Sequence, residues 1–273
     1  MTDQYAVIGN PIVQSKSPLI HTAFAQVTGQ DLEYTKLLAP VDGFAAAVDA
    51  FRKAGGLGLN VTAPFKLDAF AYATELSEGA KLAGAVNAMK FEGDRVLAQN
   101  FDGVGLVRDV VHNLGCPLAG KRVLVLGAGG ATRGALLPLL AQQPAELVIA
   151  NRTVAKATEL AAMGAAHGNV RGCSYAALTG QSFDVVFNAT SASLRAELPP
   201  LPASVFAADC LAYELAYGKG LTPFLQAAKA AGVTRLADGV GMLAEQAAEA
   251  FAWWRGVRPE TQDVIQRLTV PLV

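Results

Sequence analysis

The residues best equipped for chemistry begin at a glycine-rich loop. Arg122-Val123-Leu124-Val125-Leu126 reads as a short apolar strand, Gly127-Ala128-Gly129-Gly130-Ala131-Thr132-Arg133-Gly134 follows at once, and Ala135 to Ala141 reads as a helix. Strand, tight glycine turn and helix is the context in which backbone N–H groups approach a pyrophosphate at a helix N-terminus. Thr132 stands where the simplest G-x-G-x-x-G pattern has its third glycine, and Gly130 and Gly134 are additional. A plain tight turn is the other reading. The next apolar strand, Glu146 to Ala150, ends in Asn151-Arg152-Thr153-Val154-Ala155-Lys156. An NAD site usually carries an acid there, bonded to the ribose 2′-OH. Arg152 instead offers a planar fork to a 2′-phosphate, Thr153 a hydroxyl and Lys156, one helical turn on, a point charge. The pattern predicts NADP over NAD; otherwise Arg152 and Lys156 are solvated charges at a helix start.

Four further polar motifs fall near the start of the chain, each at an expected strand end, where ligands gather in open α/β sheets. In Gly9-Asn10-Pro11-Ile12-Val13-Gln14-Ser15-Lys16-Ser17-Pro18, the hydroxyls of Ser15 and Ser17 precede a helix. They suit a carboxylate, and equally a serine cap before a proline in the first turn. In Asn60-Val61-Thr62-Ala63-Pro64-Phe65-Lys66 an apolar strand ends and a proline-initiated helical turn begins, so Thr62 and Lys66 project from one loop. A solvated helix lysine is the alternative. Gly84-Ala85-Val86-Asn87 and Asn100-Phe101-Asp102-Gly103 complete the set, and each also suits an ordinary turn.

The elements that position these residues alternate. Tyr5 to Gly9, Leu32 to Leu38 and Leu57 to Thr62 read as strands, with helical spacing over Ser17 to Gly29 and Val41 to Gly55. A strand pair over Ala85 to Glu92 and Arg95 to Asn100 turns at Gly93-Asp94. A helix runs from Asp102 to about Leu114, and Cys116 to Gly120 breaks the pattern. A second series then has strands at Arg122 to Leu126, Leu147 to Ala150, Phe183 to Asn188 and Ala207 to Ala212. Two helices close the chain, Met242 to Arg255 and Pro259 to Leu268. Strand–helix alternation predicts an α/β fold with mostly parallel sheets covered by helices. The 273 residues suit two domains.

Composition excludes other classes. Hydrophobic residues make up 52% and charged residues 16%, so burial outweighs chain entropy. The net charge of −1, without a basic block, argues against a nucleic-acid or anionic-membrane partner. The opening MTDQYAVIGNP lacks the regions of a signal peptide, and no apolar run suits a membrane span. Cys116, Cys173 and Cys210 are scattered, as are His21, His112 and His167, so no metal site is expected and the cytoplasm is the expected address. A monomer and a homodimer fit equally well.

Taken together, GNPIxxSxSPxxH, NVTxPxK, GAVN, NxDG, GAGGA, NRTxxK, NATS and DGxGMLxxQA occur in that order across nearly the whole chain. The chain strongly resembles the shikimate dehydrogenase family. The resemblance implies an N-terminal α/β substrate domain completed by C-terminal helices, residues 1–103 with 240–273. It also implies a Rossmann-type NADP-binding domain at 104–239, with the active site in the cleft between the two. It implies that Ser15, Ser17, Thr62 and Tyr217 surround the shikimate carboxylate, and that Lys66, Asn87, Asp102 and Gln246 hold the ring hydroxyls. Gly127, Ala128, Gly129, Gly130 and Ala131 then take the pyrophosphate, and Asn151, Arg152, Thr153 and Lys156 the adenosine phosphate. Leu215 and Gly239 match positions against the nicotinamide, Glu78 a weaker cofactor contact, and Asn188 to Ser191, with Thr190, the loop beside the adenosine half.

Lys66 is then the proton donor to the C3 oxygen, with Asp102 orienting it. The implied activity is reversible NADPH-dependent reduction of 3-dehydroshikimate to shikimate, in the pathway to chorismate and the aromatic amino acids. Thr22, Ala88, Phe101 and Leu215 depart from the family pattern, in which threonine stands at the positions of Ala88 and Phe101. They motivate a second reading, a quinate or related cyclic-polyol dehydrogenase. A non-catalytic NADP/shikimate sensor is a third, disfavoured because binding alone needs neither Lys66 nor Asp102.

Overall fold

Short apolar runs broken by glycine, proline and helical stripes produce strands that mostly alternate with helices. The computed structural model describes residues 2–272. In chain order the first elements are β1 (Asp3–Gly9), α1 (Ser17–Thr28), β2 (Leu32–Leu38), α2 (Phe44–Lys53), β3 (Gly56–Val61) and α3 (Lys66–Tyr72). Then come β4 (Glu75–Leu76), α4 (Glu78–Ala83), β5 (Ala88–Glu92), β6 (Arg95–Gln99) and α5 (Asp102–Arg108). There follow β7 (Arg122–Leu126), α6 (Gly130–Leu140), β8 (Glu146–Ala150), α7 (Val154–Gly164), β9 (Val170–Cys173) and β10 (Phe183–Asn188). The last are β11 (Phe206–Glu214), α8 (Pro223–Ala230), β12 (Arg235–Asp238), α9 (Val240–Arg255) and α10 (Gln262–Leu268). Two units result: the chain up to Gly105 with Ala244–Val264, and Leu106–Leu243 with the chain from Ile265.

The first unit holds a sheet of order β2-β1-β3-β5-β6-β4. Strands β1, β2 and β3 are parallel, whereas β5 runs against both β3 and β6. Because β5 is reversed, its first residue lies at the edge where β1, β3 and β6 end. Period-two alternation sends Ala6 and Ile8 to one face, with Leu59, Val61, Phe65 and Met89. Tyr5 and Val7 go to the other, with Tyr34, Ala88 and, from α9, Ala250 and Trp254. The Trp254 ring stacks on Tyr5 at 4.8 Å and its Nε1 donates to the Met89 carbonyl at 3.0 Å.

In the second unit all six strands are parallel, in the order β12-β11-β10-β7-β8-β9. Read from β7 as first strand, this is the doubly wound dinucleotide-binding order, which reverses direction between β7 and β10. Leu124, Leu126, Val186 and Ala212 fill one face and Val123, Val125, Phe187 and Tyr213 the other.

Three strands are additional to those the periodicity predicts. β4 has two residues, β9 carries Arg171 and Gly172, and β12 is Arg-Leu-Ala-Asp, so none has an apolar run long enough to signal itself. The helix predicted from Asp102 to Leu114 instead widens into a π turn over Asp109–Asn113. There the buried Asp109 carboxylate accepts from the Tyr213 hydroxyl at 2.7 Å and from Asn113 Nδ2 at 3.0 Å. A buried acid with fixed donors is the kind of constraint that distorts a helical turn.

Candidate functional site

The reversed β5 gathers four sequence motifs at one edge of the first sheet. Asn87 immediately precedes β5, Asp102 begins α5 just after β6, Lys66 begins α3 after β3, and the Gly9–Ser17 loop follows β1. Lys66 Nζ donates to Asp102 Oδ2 at 2.5 Å, with the two side chains 35% and 18% exposed. Asn87 Nδ2 donates to Asp102 Oδ1 at 2.8 Å and to Gln246 Oε1, on α9, at 3.2 Å. The Asn87 amide oxygen is occupied by the backbone N–H of Phe101 at 2.8 Å, so its amide orientation is fixed. Asn100 Oδ1 accepts from the N–H of Asp102 at 3.1 Å, and Asn100 Nδ2 donates to the Ala85 carbonyl at 3.0 Å. A half-buried ammonium is thereby held against a carboxylate that is oriented from behind. Such a group can pass a proton to an oxygen placed beside it.

Ser17 is buried at the start of α1, and Ser15 donates from Oγ to Ser17 Oγ at 3.2 Å while accepting from the Ser17 N–H at 3.3 Å. Ser17 is the first residue of α1 and Lys16, which makes no side-chain cap bond, holds the cap position, so neither serine caps the helix. Thr62 lies in the loop between β3 and α3, half-buried. Tyr34, absent from the sequence-based site, donates from its buried hydroxyl to Asn60 Oδ1 at 2.6 Å, and Asn60 Nδ2 donates to the Asn87 carbonyl at 3.4 Å. The side chains of Ala88 and Phe101 pack elsewhere than in this network. Ala88 is fully buried in the apolar cluster with Trp254, and the Phe101 ring packs edge-on against Trp253 at 5.8 Å. Glu78 stands exposed at the start of α4, paired with Lys81 at 3.0 Å.

In the second unit Gly127 follows β7 at φ 102°, and a Cβ there would meet Thr190 Cγ2 at 3.1 Å and the Ala189 carbonyl at 3.2 Å. Only glycine allows this turn so close to the loop after β10. Gly129 and Gly130 have open space above them, and α6 begins at Gly130, so its first N–H groups face outward from the loop. Thr132, in place of a third glycine, is buried and donates to the Gly127 carbonyl at 2.7 Å, closing the turn from within. Beyond β8, Asn151 Nδ2 donates to the Thr153 carbonyl at 2.9 Å, while Arg152, Thr153 and Lys156 are exposed at the start of α7 with no acid among residues 151–156. Small backbone, an open helix start and a basic strand end fit a dinucleotide phosphate chain with an additional phosphate.

Leu215 and Gly239 adjoin: a Cβ on Gly239 would meet the Leu215 carbonyl at 2.1 Å, and the Gly239 N–H donates to the Ala216 carbonyl at 3.2 Å. Tyr217 follows two residues after Leu215 and is 42% exposed. Glu214 escaped the sequence reading. It is a fully buried acid at the end of an apolar strand, and an acid within Cys210-Leu211-Ala212-Tyr213-Glu214-Leu215-Ala216-Tyr217 was the available signal. Among the described residues, no cluster of three or more His, Cys, Asp or Glu side chains could hold a metal, and no helix is long and apolar enough to cross a membrane.

Three family models match the chain. Residues 7–89 match the shikimate dehydrogenase substrate binding domain, 109–196 the shikimate / quinate 5-dehydrogenase family, and 239–269 the shikimate 5'-dehydrogenase C-terminal domain. The shikimate dehydrogenase (NADP(+)) of Nitrosospira multiformis is 58% identical over 268 residues, covering 98% of each chain. Among solved structures, the Ael1 enzyme from Pseudomonas putida is 61% identical with a TM-score of 0.95, covering 100% of both chains. The shikimate 5-dehydrogenase of Thermus thermophilus, solved in complex with NADP(H) and shikimate, is 30% identical with a TM-score of 0.86, covering 98% of this chain and 100% of its own.

Proposed function

The chain belongs to the shikimate dehydrogenase family, and from that premise we propose which of its residues carry the reversible NADPH-dependent reduction of 3-dehydroshikimate to shikimate. It is an NADP-dependent oxidoreductase of the route to chorismate and the aromatic amino acids. The unit formed by the chain up to Gly105 with Ala244–Val264 takes the substrate and the unit holding Leu106–Leu243 takes NADP, so the segment from Ile265, expected with the substrate domain, belongs to the latter. The bound cofactor supplies or receives the hydride at the substrate's C3 carbon.

Lys66 Nζ donates a proton to the C3 oxygen during reduction and takes it back during oxidation. Asp102 holds Lys66 and accepts from a ring hydroxyl, while Asn87 and Gln246 complete the recognition of the polyol. A ring lacking one of those hydroxyls leaves a buried polar group unpaired, which is where selectivity arises. Ser15, Ser17, Thr62 and Tyr217 take the carboxylate. Gly127 to Ala131 cradle the pyrophosphate, and Asn151, Arg152, Thr153 and Lys156 take the 2′-phosphate. Thr190, Leu215 and Gly239 line the rest of the cofactor path, with Glu78 a weaker contact.

The observation that carries this reading is the Lys66–Asp102–Asn87–Gln246 network, four polar side chains from three motifs and a distant helix joined by direct hydrogen bonds. The Ala88 side chain lies in the packed cluster and the Phe101 ring packs against Trp253, so neither side chain joins that network, which supports shikimate over quinate as the preferred substrate. Three buried, unpaired cysteines suit a cytoplasmic enzyme, acting on small molecules as a monomer or homodimer. The test is kcat/KM for shikimate and for quinate, each with NADP and with NAD. Shikimate with NADP is expected to exceed every other pairing, and equal use of quinate or of NAD would overturn the corresponding assignment.

A further inference from the structure

Glu214 is a fully buried carboxylate that the proposed reaction does not use. Donors from three segments converge on it. Oε2 accepts from Asn188 Nδ2 at 2.9 Å, from Thr222 Oγ1 at 3.1 Å and from the Ser193 hydroxyl, and Oε1 accepts from the Ala216 N–H at 3.3 Å. Asn188 and Ser193 bracket the loop after β10. Within it, Asn188 Oδ1 accepts from the Thr190 N–H at 3.2 Å and from Thr190 Oγ1 at 2.7 Å, and Thr190 is the residue pressed against Gly127. Ala216 belongs to the loop after β11, between Leu215 and Tyr217, and its carbonyl receives the Gly239 N–H. Thr222 caps α8, accepting from the Leu225 N–H at 3.3 Å. One carboxylate thus gathers the loops that follow two adjacent strands beside the point where the sheet order reverses.

We infer that Glu214 is a positioning residue for the cofactor: it fixes the Asn188–Ser193 and Leu215–Tyr217 loops in the one arrangement that receives the dinucleotide, without touching it. The inference rests on the assignment of Thr190, Leu215 and Gly239 to the cofactor path. Burial pushes the Glu214 carboxyl up from its ordinary value, while every one of its four donors favours the ionised form. The donor count explains why an acid is used. A glutamine at position 214 keeps a single acceptor oxygen, so its N–H₂ is set either against the Asn188 N–H₂ or against the Ala216 N–H, and one of the two loops loses its anchor. Asn188 cannot reverse its amide to compensate, because its oxygen is held by Thr190. Exchanging the pair relieves that conflict. When Glu214→Gln is combined with Asn188→Asp, the new amide at position 214 donates to the new carboxylate at position 188. The second oxygen of that carboxylate still accepts from Thr190, and the Ser193 hydroxyl, which lies within reach of position 188, turns to donate to the new carboxylate. The Thr222 hydroxyl accepts the amide's second N–H, and the amide oxygen still accepts from Ala216.

The experiment measures NADPH binding by fluorescence and shikimate binding by calorimetry for Glu214→Gln, Asn188→Asp, the double variant, Ser193→Ala and, as a control, Arg152→Ala. Each member of the pair alone is expected to weaken NADPH about tenfold, the size of one broken buried hydrogen bond to a charged group. Shikimate affinity should stay within about twofold, and the double variant should return NADPH affinity to within about threefold of wild type. Should a single variant fail to fold, the double variant and Ser193→Ala still decide. The first is expected near wild type and the second about threefold weaker for NADPH alone. A double variant no better than its worse parent, a Glu214→Gln protein that binds NADPH normally, or equal weakening of both ligands would overturn the inference. Loss of NADPH binding in Arg152→Ala beside normal binding in Glu214→Gln removes only the role of Glu214. Normal binding in Arg152→Ala removes the cofactor assignment itself.

Discussion

Replacing Lys66 by alanine separates chemistry from stability, because the structure gives the two effects different sizes. The ion pair with Asp102 is short at 2.5 Å, but its side chains are 35% and 18% exposed, so solvent screens it. A pair of that kind contributes about 1 kcal/mol or less, which moves Tm by about 2–4 °C in a domain of this size. Asp102 also keeps the Asn87 amide, so the substitution leaves no orphaned buried charge. The loss of the proposed proton donor is a larger effect. A positioned acid–base group contributes about 10²–10⁴ in rate, equivalent to about 3–5 kcal/mol of barrier. Lys66→Ala should therefore lower kcat by that factor at saturating shikimate and NADP, with a smaller change in KM and a melting temperature lower by no more than about 2–4 °C. Lys66→Arg retains the charge and the partner but cannot release a proton near neutral pH. It should restore the melting temperature and not the rate. A Lys66→Ala enzyme with near wild-type kcat would refute the assignment, and so would a Lys66→Arg enzyme of full activity.

Arg152→Ala should raise KM for NADP about 10- to 150-fold, the value of a charge-assisted hydrogen bond, while leaving the poorer use of NAD unchanged; steady-state assays at two ionic strengths read this directly. Ala88→Thr should cost about 1–3 kcal/mol in urea unfolding, because the residue is fully buried, yet leave the shikimate-to-quinate ratio of kcat/KM as it was. His21 is buried with neither ring nitrogen hydrogen-bonded, and burial, only partly offset by nearby Asn60, lowers its pKa to about 3. The folded protein thus binds fewer protons than the unfolded chain, so stability is lost as pH falls from about 6.5 toward 3, by about 2 kcal/mol at pH 5. Urea melts at pH 7 and 5 should show that loss, and His21→Phe should reduce it; an unchanged pH slope in the variant would exclude His21 as its source.

The sequence was most legible where a local pattern sufficed. β7 and β10 are short apolar runs bounded by charge and glycine or asparagine, and they fall where their periodicity predicts. β8 begins at Glu146, an acid that pairs with Arg122 and Arg171 on the neighbouring strands. That pairing spans three strands and cannot be seen in one of them. The predicted helix from Val41 begins at Phe44, since Gly43 closes a turn on the Pro40 carbonyl first. For the candidate site, Lys66, Asp102 and Asn87 were marked by motif, but their mutual hydrogen bonds follow from the reversal of β5. No periodicity announces strand direction. Gln246 meets Asn87 across 159 residues of chain, and Glu214 meets Asn188 through strand pairing. Sequence spacing holds no trace of either.

The late position of α9 bears on how the protein is made. Synthesis proceeds from the N-terminus, so all of β1 to β6 leaves the ribosome while Ala250 and Trp254, which complete the apolar cluster on one face of that sheet, do not yet exist. The gap is about 150 residues, roughly 8–30 s at about 5–20 residues per second. Throughout that interval Tyr5 and Val7 lack the cover that α9 supplies, while His21 of α1 already stacks on Tyr34 at 4.2 Å, and β2 is an open edge beside them. The intervening unit holds its six strands between residues 122 and 238 and can collapse first. The nascent chain is therefore most in need of chaperone cover during the window that closes when α9 emerges.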